Sequence, residues 1–120
     1  MTAVAPAPAV DLDPVEVLRS VPLFADLDVD ELRAVAARCS ERRYEKGDRM
    51  WSAGAEGDDF LVIASGELTV WGKGESDVLA RLGRGSCVGE IALLLDEPRS
   101  ATVTCSQAAR VLVLTKPDFR

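Results

Sequence analysis

Between Arg43 and Leu114 the chain is cut into short apolar runs set off by glycines, and this punctuation limits the fold more than any other feature. The runs are Arg49–Trp51, Phe60–Ala64, Leu68–Trp71, Val78–Leu82, Ala101–Cys105 and Arg110–Leu114, and the glycines among them include Gly47, Gly54, Gly57, Gly66, Gly72, Gly74, Gly83 and Gly85. Strands at this spacing, with turn signals between them, predict an antiparallel sandwich, barrel or jelly roll. Gly54, Gly57 and Gly66 are expected to be turn residues that need positive φ and have no ligand role. The segment "GKGESD" from Gly72 to Asp77, with Lys73 and Glu75, reads as an exposed hairpin tip. Trp51 and Trp71 end strands and are expected to pack in the core or at its rim rather than to form a base-stacking platform.

The N-terminal third follows a different period. Asp13-Pro14-Val15-Glu16 offers an aspartate cap, proline at the first helical position and glutamate three residues after the cap. Asp28-Val29-Asp30-Glu31 repeats the capping pattern, and Leu32, Val35, Ala36 and Cys39 then recur at helical spacing. Leu32, Val35 and Cys39 are expected to cover one end of the β region. Val21-Pro22-Leu23-Phe24 should be an apolar elbow between the two helices. Residues 1–12 read as a disordered lead-in, because proline interrupts an apolar run that has no basic residue and so lacks the pattern of a signal peptide. No stretch is long enough to span a bilayer, and a cytoplasmic protein that does not contact membranes is expected.

A chain of 120 residues suits one domain, here residues 13–120, and 48% apolar with 28% charged residues is ordinary globular composition. The formal net charge of −6 leaves no basic stripe, so direct nucleic-acid binding is not expected, and an anionic ligand would need a local positive site. Cys39, Cys87 and Cys105 are odd in number, share no metal spacing and suit core filling. The chain has no histidine, which argues against a zinc site, histidine general-base catalysis and a metal enzyme on a cupin-type jelly roll. The acids Glu56, Asp58 and Asp59 lack EF-hand spacing and read as a solvated turn. No metal, cofactor or catalytic residue is expected, and the chain does not read as an enzyme.

One segment breaks the β pattern. "VGEIALLLDEPRSATV", Val88 to Val103, is too rich in leucine and alanine and too poor in β-branched residues for a strand. A single helical turn beginning near Glu90 and ended before Pro98 fits better. The N-terminus of such a turn carries unpaired N–H groups and a partial positive charge suited to phosphate. Arg99 adds a planar donor fork and Ser100 a hydroxyl, while Glu90 accepts hydrogen bonds and suits a ligand hydroxyl. An anion and a sugar hydroxyl held by one segment indicate a nucleotide. The bland alternative is a surface Glu90–Arg99 ion pair that closes a loop and contributes little.

The segment resembles the phosphate-binding cassette of cyclic nucleotide-binding domains, such as those of the catabolite activator protein and the regulatory subunits of protein kinase A. Gly89, Glu90, Ile91, Ala92 and Leu93, then Pro98, Arg99, Ser100, Ala101, Thr102 and Val103, stand at the cassette positions. The likeness extends through "EGDDFLVIASGELTVW" and "LGRGSCVGE" and covers about Val21 to Phe119. It implies an eight-stranded jelly-roll-like β-roll, or double-stranded β-helix, with N-terminal helices and a short phosphate-binding helix. It also implies a regulatory module for a cyclic purine mononucleotide, cAMP favoured over cGMP. Glu90 would then accept the ribose 2′-hydroxyl. Arg99, Ser100 and the amides around Ile91 and Ala92 would hold the phosphate, and Gly89 would let the backbone approach the ribose. Val88 stands where an aromatic is common, which alters packing beneath the cassette. The family's C-terminal lid helix is expected to be missing, since "KPDFR" stands where it would begin; the chain would then be a fragment, take a lid from elsewhere, or leave the base exposed. The alternative in a second class is a ligand-free β-roll used as an interaction or dimerisation scaffold. In either case the output domain or partner lies outside these residues.

Overall fold

In the computed structural model, described over residues 13–57, 59–72, 74–89 and 97–115, both aspartate caps begin helices. The expected lead-in over 1–12 and the "KPDFR" end fall outside the described residues. Helix α1 runs Pro14–Arg19, and the Asp13 carboxylate accepts from the Val15 N–H at 3.0 Å. Helix α2 runs Val29–Arg38 behind a complete capping box: Glu31 N–H donates to Asp28 at 2.8 Å, and Asp28 N–H donates to Glu31 at 3.0 Å. Between them Pro22–Phe24 forms a 3₁₀ turn that buries Val21 and Phe24 and leaves Leu23 in solvent.

Six strands follow among the described residues: β1 Ser40–Tyr44, β2 Arg49–Trp51, β3 Asp59–Trp71, β4 Val78–Leu82, β5 Cys87–Val88 and β6 Thr102–Thr115. All pairings are antiparallel, in the order β1-β6-β3-β4, with β2 also paired to β6 and β5 to β3. The chain is therefore mainly β, as its glycine punctuation suggests, but the described residues hold six strands and not eight. The runs at 60–64 and 68–71 fall in one strand, as do 102–105 and 110–114, while β1 and β5 lie outside the six runs read from the sequence. Gly66 explains the difference. Its φ is +88°, and a Cβ built there would fall 2.2 Å from the Ala108 carbonyl oxygen, so β3 and β6 touch backbone to backbone. The ladder slips register between Ile63 and Leu68, as at a β-bulge, and the paired strands bend without breaking.

The bent pair β3–β6 serves two cores because alternate residues of a strand face opposite sides. Phe60, Val62 and Ala64 of β3, with Leu112 and Leu114 of β6, face the helices and meet Val17, Leu18, Val21, Phe24 and Leu32. Val35 and Cys39 pack against this cluster from its edge, as their spacing suggests, and Phe24 meets Phe60 edge to face with centroids 6.0 Å apart. Leu61, Ile63, Leu68, Val103, Cys105, Ala109, Val111 and Val113 form the second core on the other side. Tyr44, Met50, Trp51, Val70, Leu82 and Val88 border it.

The hairpin between β3 and β4 is closed by Gly72 N–H donating to Asp77 O at 3.0 Å and Glu75 N–H donating to Gly72 O at 3.0 Å. Glu75 does more than decorate this tip: both its carboxylate oxygens accept from Arg49 on β2, at 2.7 and 3.0 Å. That pair holds the Glu75 carboxyl below the usual carboxylate range, through the Arg49 hydrogen bond. Among the described residues no helix is long and apolar enough to cross a membrane.

Candidate functional site

The site is built where β5 ends and where the chain returns ahead of β6. Strand β5 is short, pairing only Cys87 with Val62 and Val88 with Leu61, and it delivers the chain to Gly89. Gly89 has φ +96°, and a Cβ there would lie 2.6 Å from the Asp59 carbonyl oxygen. The backbone therefore passes β3 at a distance only glycine permits.

The return segment is stitched to the turn after β2. Arg99 N–H donates to Ala55 O at 2.8 Å, Gly54 N–H donates to Arg99 O at 2.7 Å, and Ala53 N–H donates to the Thr102 hydroxyl at 2.9 Å. With its backbone fixed on both sides, Arg99 sends its side chain inward and is only 7% exposed. Its guanidinium carbon lies 3.7 Å from the Trp51 ring centroid, well inside the range of a cation–π contact. A Cβ on Gly57 would come within 2.9 Å of Arg99 Nη2, and one on Gly89 within 3.0 Å of Nη1. Arg99 thus occupies a slot bounded by an indole face and two glycines.

Beside this slot lies a cleft of about 280 Å³. Val70, Leu82, Val88, Ala101 and Val103 give it an apolar lining, and Gly89, Arg99, Ser100, Glu97 and Cys87 line it as well. A guanidinium beside an apolar wall suits a ligand that joins an anionic group to a flat, weakly polar body.

Of the residues singled out from sequence, Gly89, Arg99 and Ser100 come together at this cleft. Glu90, Ile91 and Ala92, and with them the expected short phosphate-binding helix, lie outside the described residues. Gly57 corrects an expectation. Gly54 and Gly66 have positive φ as anticipated, but Gly57 does not, and the room it leaves is taken by the Arg99 guanidinium. Trp51 also has a larger part than rim packing. No local signal marks either role, because both arise from a contact with a residue distant in sequence.

The remaining candidates are accounted for elsewhere. Asp59 opens β3 and pairs with Arg42 at 3.6 Å, while Asp58 lies outside the described residues. Among the described residues no cluster of histidine, cysteine, aspartate or glutamate could hold a metal ion. The three thiols are unbridged; Cys105 is buried, and burial, with the nearby Asp48 charge, pushes its thiol pKa up.

The family model described as the cyclic nucleotide-binding domain matches residues 41–120. The cAMP-dependent protein kinase regulatory subunit of Yarrowia lipolytica is 40% identical over 103 residues, which are 86% of this chain and 28% of that protein. The cGMP-dependent protein kinase, isozyme 2 forms cD5/T2, of Drosophila melanogaster is 36% identical over 108 residues, 85% of this chain and 12% of that protein. This chain thus spans a minor part of the curated relatives it matches. Among solved structures, cAMP-bound PfPKA-R superposes with a TM-score of 0.81 at 28% identity, over 88% of this chain and 36% of that one. The N-terminal domain of a transcriptional regulator from Streptomyces coelicolor gives 0.79 at 31% identity, over 85% and 75%.

Proposed function

The chain belongs to the cyclic nucleotide-binding domain family, and from that premise we propose that it is a regulatory, non-catalytic module that binds a cyclic purine mononucleotide in the cleft beside Arg99. The observation that carries this reading is the buried Arg99 guanidinium, held between Trp51, Gly57 and Gly89 where it lines a cleft with apolar walls. A guanidinium is the side chain whose planar donor fork matches phosphate oxygens, and here it lines a cleft whose other walls are largely apolar.

In this reading Arg99 binds the cyclic phosphate, helped by Ser100 and the amides around Ile91 and Ala92. Glu90 accepts the ribose 2′-hydroxyl, and Gly89 admits the sugar to the backbone. The base lies against the apolar wall of Val70, Leu82 and Val103. cAMP is taken as the preferred nucleotide, in keeping with the cAMP-bound neighbour at TM-score 0.81, while the relatives include both cAMP- and cGMP-dependent proteins. The output that binding controls is carried by residues or partners beyond this domain.

Calorimetric titration with cAMP, cGMP and non-cyclic AMP tests the reading. Saturable binding of cAMP, weaker for the other two, is expected. Removing one partner of a buried charge pair costs roughly 2–5 kcal/mol, or about 30- to several-thousand-fold in affinity. Arg99→Leu should therefore abolish binding at micromolar ligand, and Arg99→Lys should fall between, with both variants still folded. Absence of saturable binding in the parent, or Arg99→Leu within threefold of it, would overturn the proposal.

A further inference from the structure

We infer that Trp51 is a positioning residue for the ligand's anionic group, acting through Arg99 as a flat shelf that orients the guanidinium. The inference rests on the nucleotide-binding reading above and adds a residue to its machinery. Trp51 is the last residue of β2, opposite Val103, and the β2–β6 register slips between Arg49 and Trp51. Such irregularities re-aim side chains. Here the indole borders the second core and also lines the cleft, beneath the guanidinium of Arg99.

The slot has the proportions of a plane. The indole face is 3.7 Å from the guanidinium carbon. A Cβ on Gly57 would crowd Nη2 at 2.9 Å and Nε at 3.1 Å, and one on Gly89 would crowd Nη1 at 3.0 Å and Trp51 Cη2 at 3.2 Å. A delocalised, weakly hydrated guanidinium stacks on such a face, whereas a compact ammonium does not fill the slot or present a fork. An arginine side chain has many rotamers, and ordering it only when ligand arrives would weaken binding. Stacking before the ligand arrives removes that cost. Arg99 N–H donating to Ala55 O and Gly54 N–H donating to Arg99 O tie its backbone to the turn that follows Trp51, so shelf and guanidinium share one anchor.

The test is a double-mutant cycle read by cAMP calorimetry on Trp51→Leu, Trp51→Phe, Arg99→Lys and Trp51→Leu/Arg99→Lys. Trp51→Leu should weaken binding about tenfold, between the scales of an exposed and a desolvated cation–π contact. Trp51→Phe keeps a ring face and should stay within about threefold of the parent. In the Arg99→Lys background, Trp51→Leu should add no more than about a twofold loss, because the planar group that the shelf orients is gone. Urea melts of the four variants check that each is folded at the assay temperature. Equal losses for Trp51→Leu in both backgrounds would show that Trp51 is only a cleft wall and overturn the inference. So would a Leu variant that binds as well as the Phe variant. Either result leaves parent binding, and with it the functional reading, intact. A parent that binds no cyclic nucleotide overturns both.

Discussion

Replacing Gly89 by alanine separates the demands of backbone conformation from those of the site, because the chain carries a matched control. Gly89 and Gly47 have φ of +96° and +97°, yet a Cβ at Gly47 meets nothing within 4 Å. Alanine in this region of φ costs about 1–2 kcal/mol, partly offset by the smaller conformational freedom of the unfolded alanine chain. Gly47→Ala should thus lose about 1 kcal/mol of stability, or about 4 °C in Tm, and leave cAMP affinity unchanged. At Gly89 the same conformational cost is joined by a Cβ 2.6 Å from the Asp59 carbonyl oxygen. That atom belongs to the backbone of β3 and cannot swing away, so β5 or β3 must shift, adding about 1–3 kcal/mol as for other overpacked sites. The total expected for Gly89→Ala is about 2–4 kcal/mol. The same Cβ would lie 3.0 Å from Arg99 Nη1 and 3.2 Å from Trp51 Cη2, so the shift reaches the guanidinium slot, and cAMP affinity should fall at least about tenfold. Urea denaturation followed by tryptophan fluorescence gives the stabilities, and calorimetry below the transition gives the affinities. Equal stability losses at the two glycines, with Gly89→Ala binding within twofold of the parent, would refute the reasoning.

Three further outcomes are expected. Glu90→Ala should weaken cAMP by about 1.5–3 kcal/mol but barely alter binding of the 2′-deoxy analogue, which lacks the hydroxyl that the carboxylate would accept; equal losses in competition titrations would assign Glu90 to loop shape alone. Asp28→Ala removes the reciprocal capping of α2 and should lower stability by about 1 kcal/mol, measured by thermal melting, without changing nucleotide affinity. Because burial raises the Cys105 thiol pKa, its contribution to stability is complete below the ordinary thiol pKa and is lost as pH rises from there through the folded-state value. Urea midpoints should therefore fall between neutral and strongly alkaline pH less steeply in Cys105→Ala than in the parent, and Cys105 should be the slowest of the three thiols to react with a thiol reagent in the native protein.

What could be read from the sequence was local. Asp13 and Asp28 cap helices because their carboxylates reach amides two or three residues away, and that spacing is visible in the letters. Gly54 and Gly66 announce positive φ because no other residue adopts it easily. The cassette letters from Gly89 to Val103 likewise carry donors and acceptors whose chemistry suits a phosphate whatever surrounds them. Strand count was less legible: Gly66 looks like a break between runs, and only the approach of Ala108 shows that the strand bends there and continues. The slot around Arg99 was not legible at all. Trp51, Gly57 and Gly89 lie on separate elements, and each has an ordinary local reading as strand end, turn glycine or loop glycine. Their common role exists only after β2 and β3 have paired with β6 and β5, bringing an indole face and two missing Cβ atoms around one guanidinium. Short-range hydrogen bonding and backbone sterics leave a pattern along the chain. A planar cavity assembled from distant residues leaves none, so tertiary packing alone decided how the arginine is held.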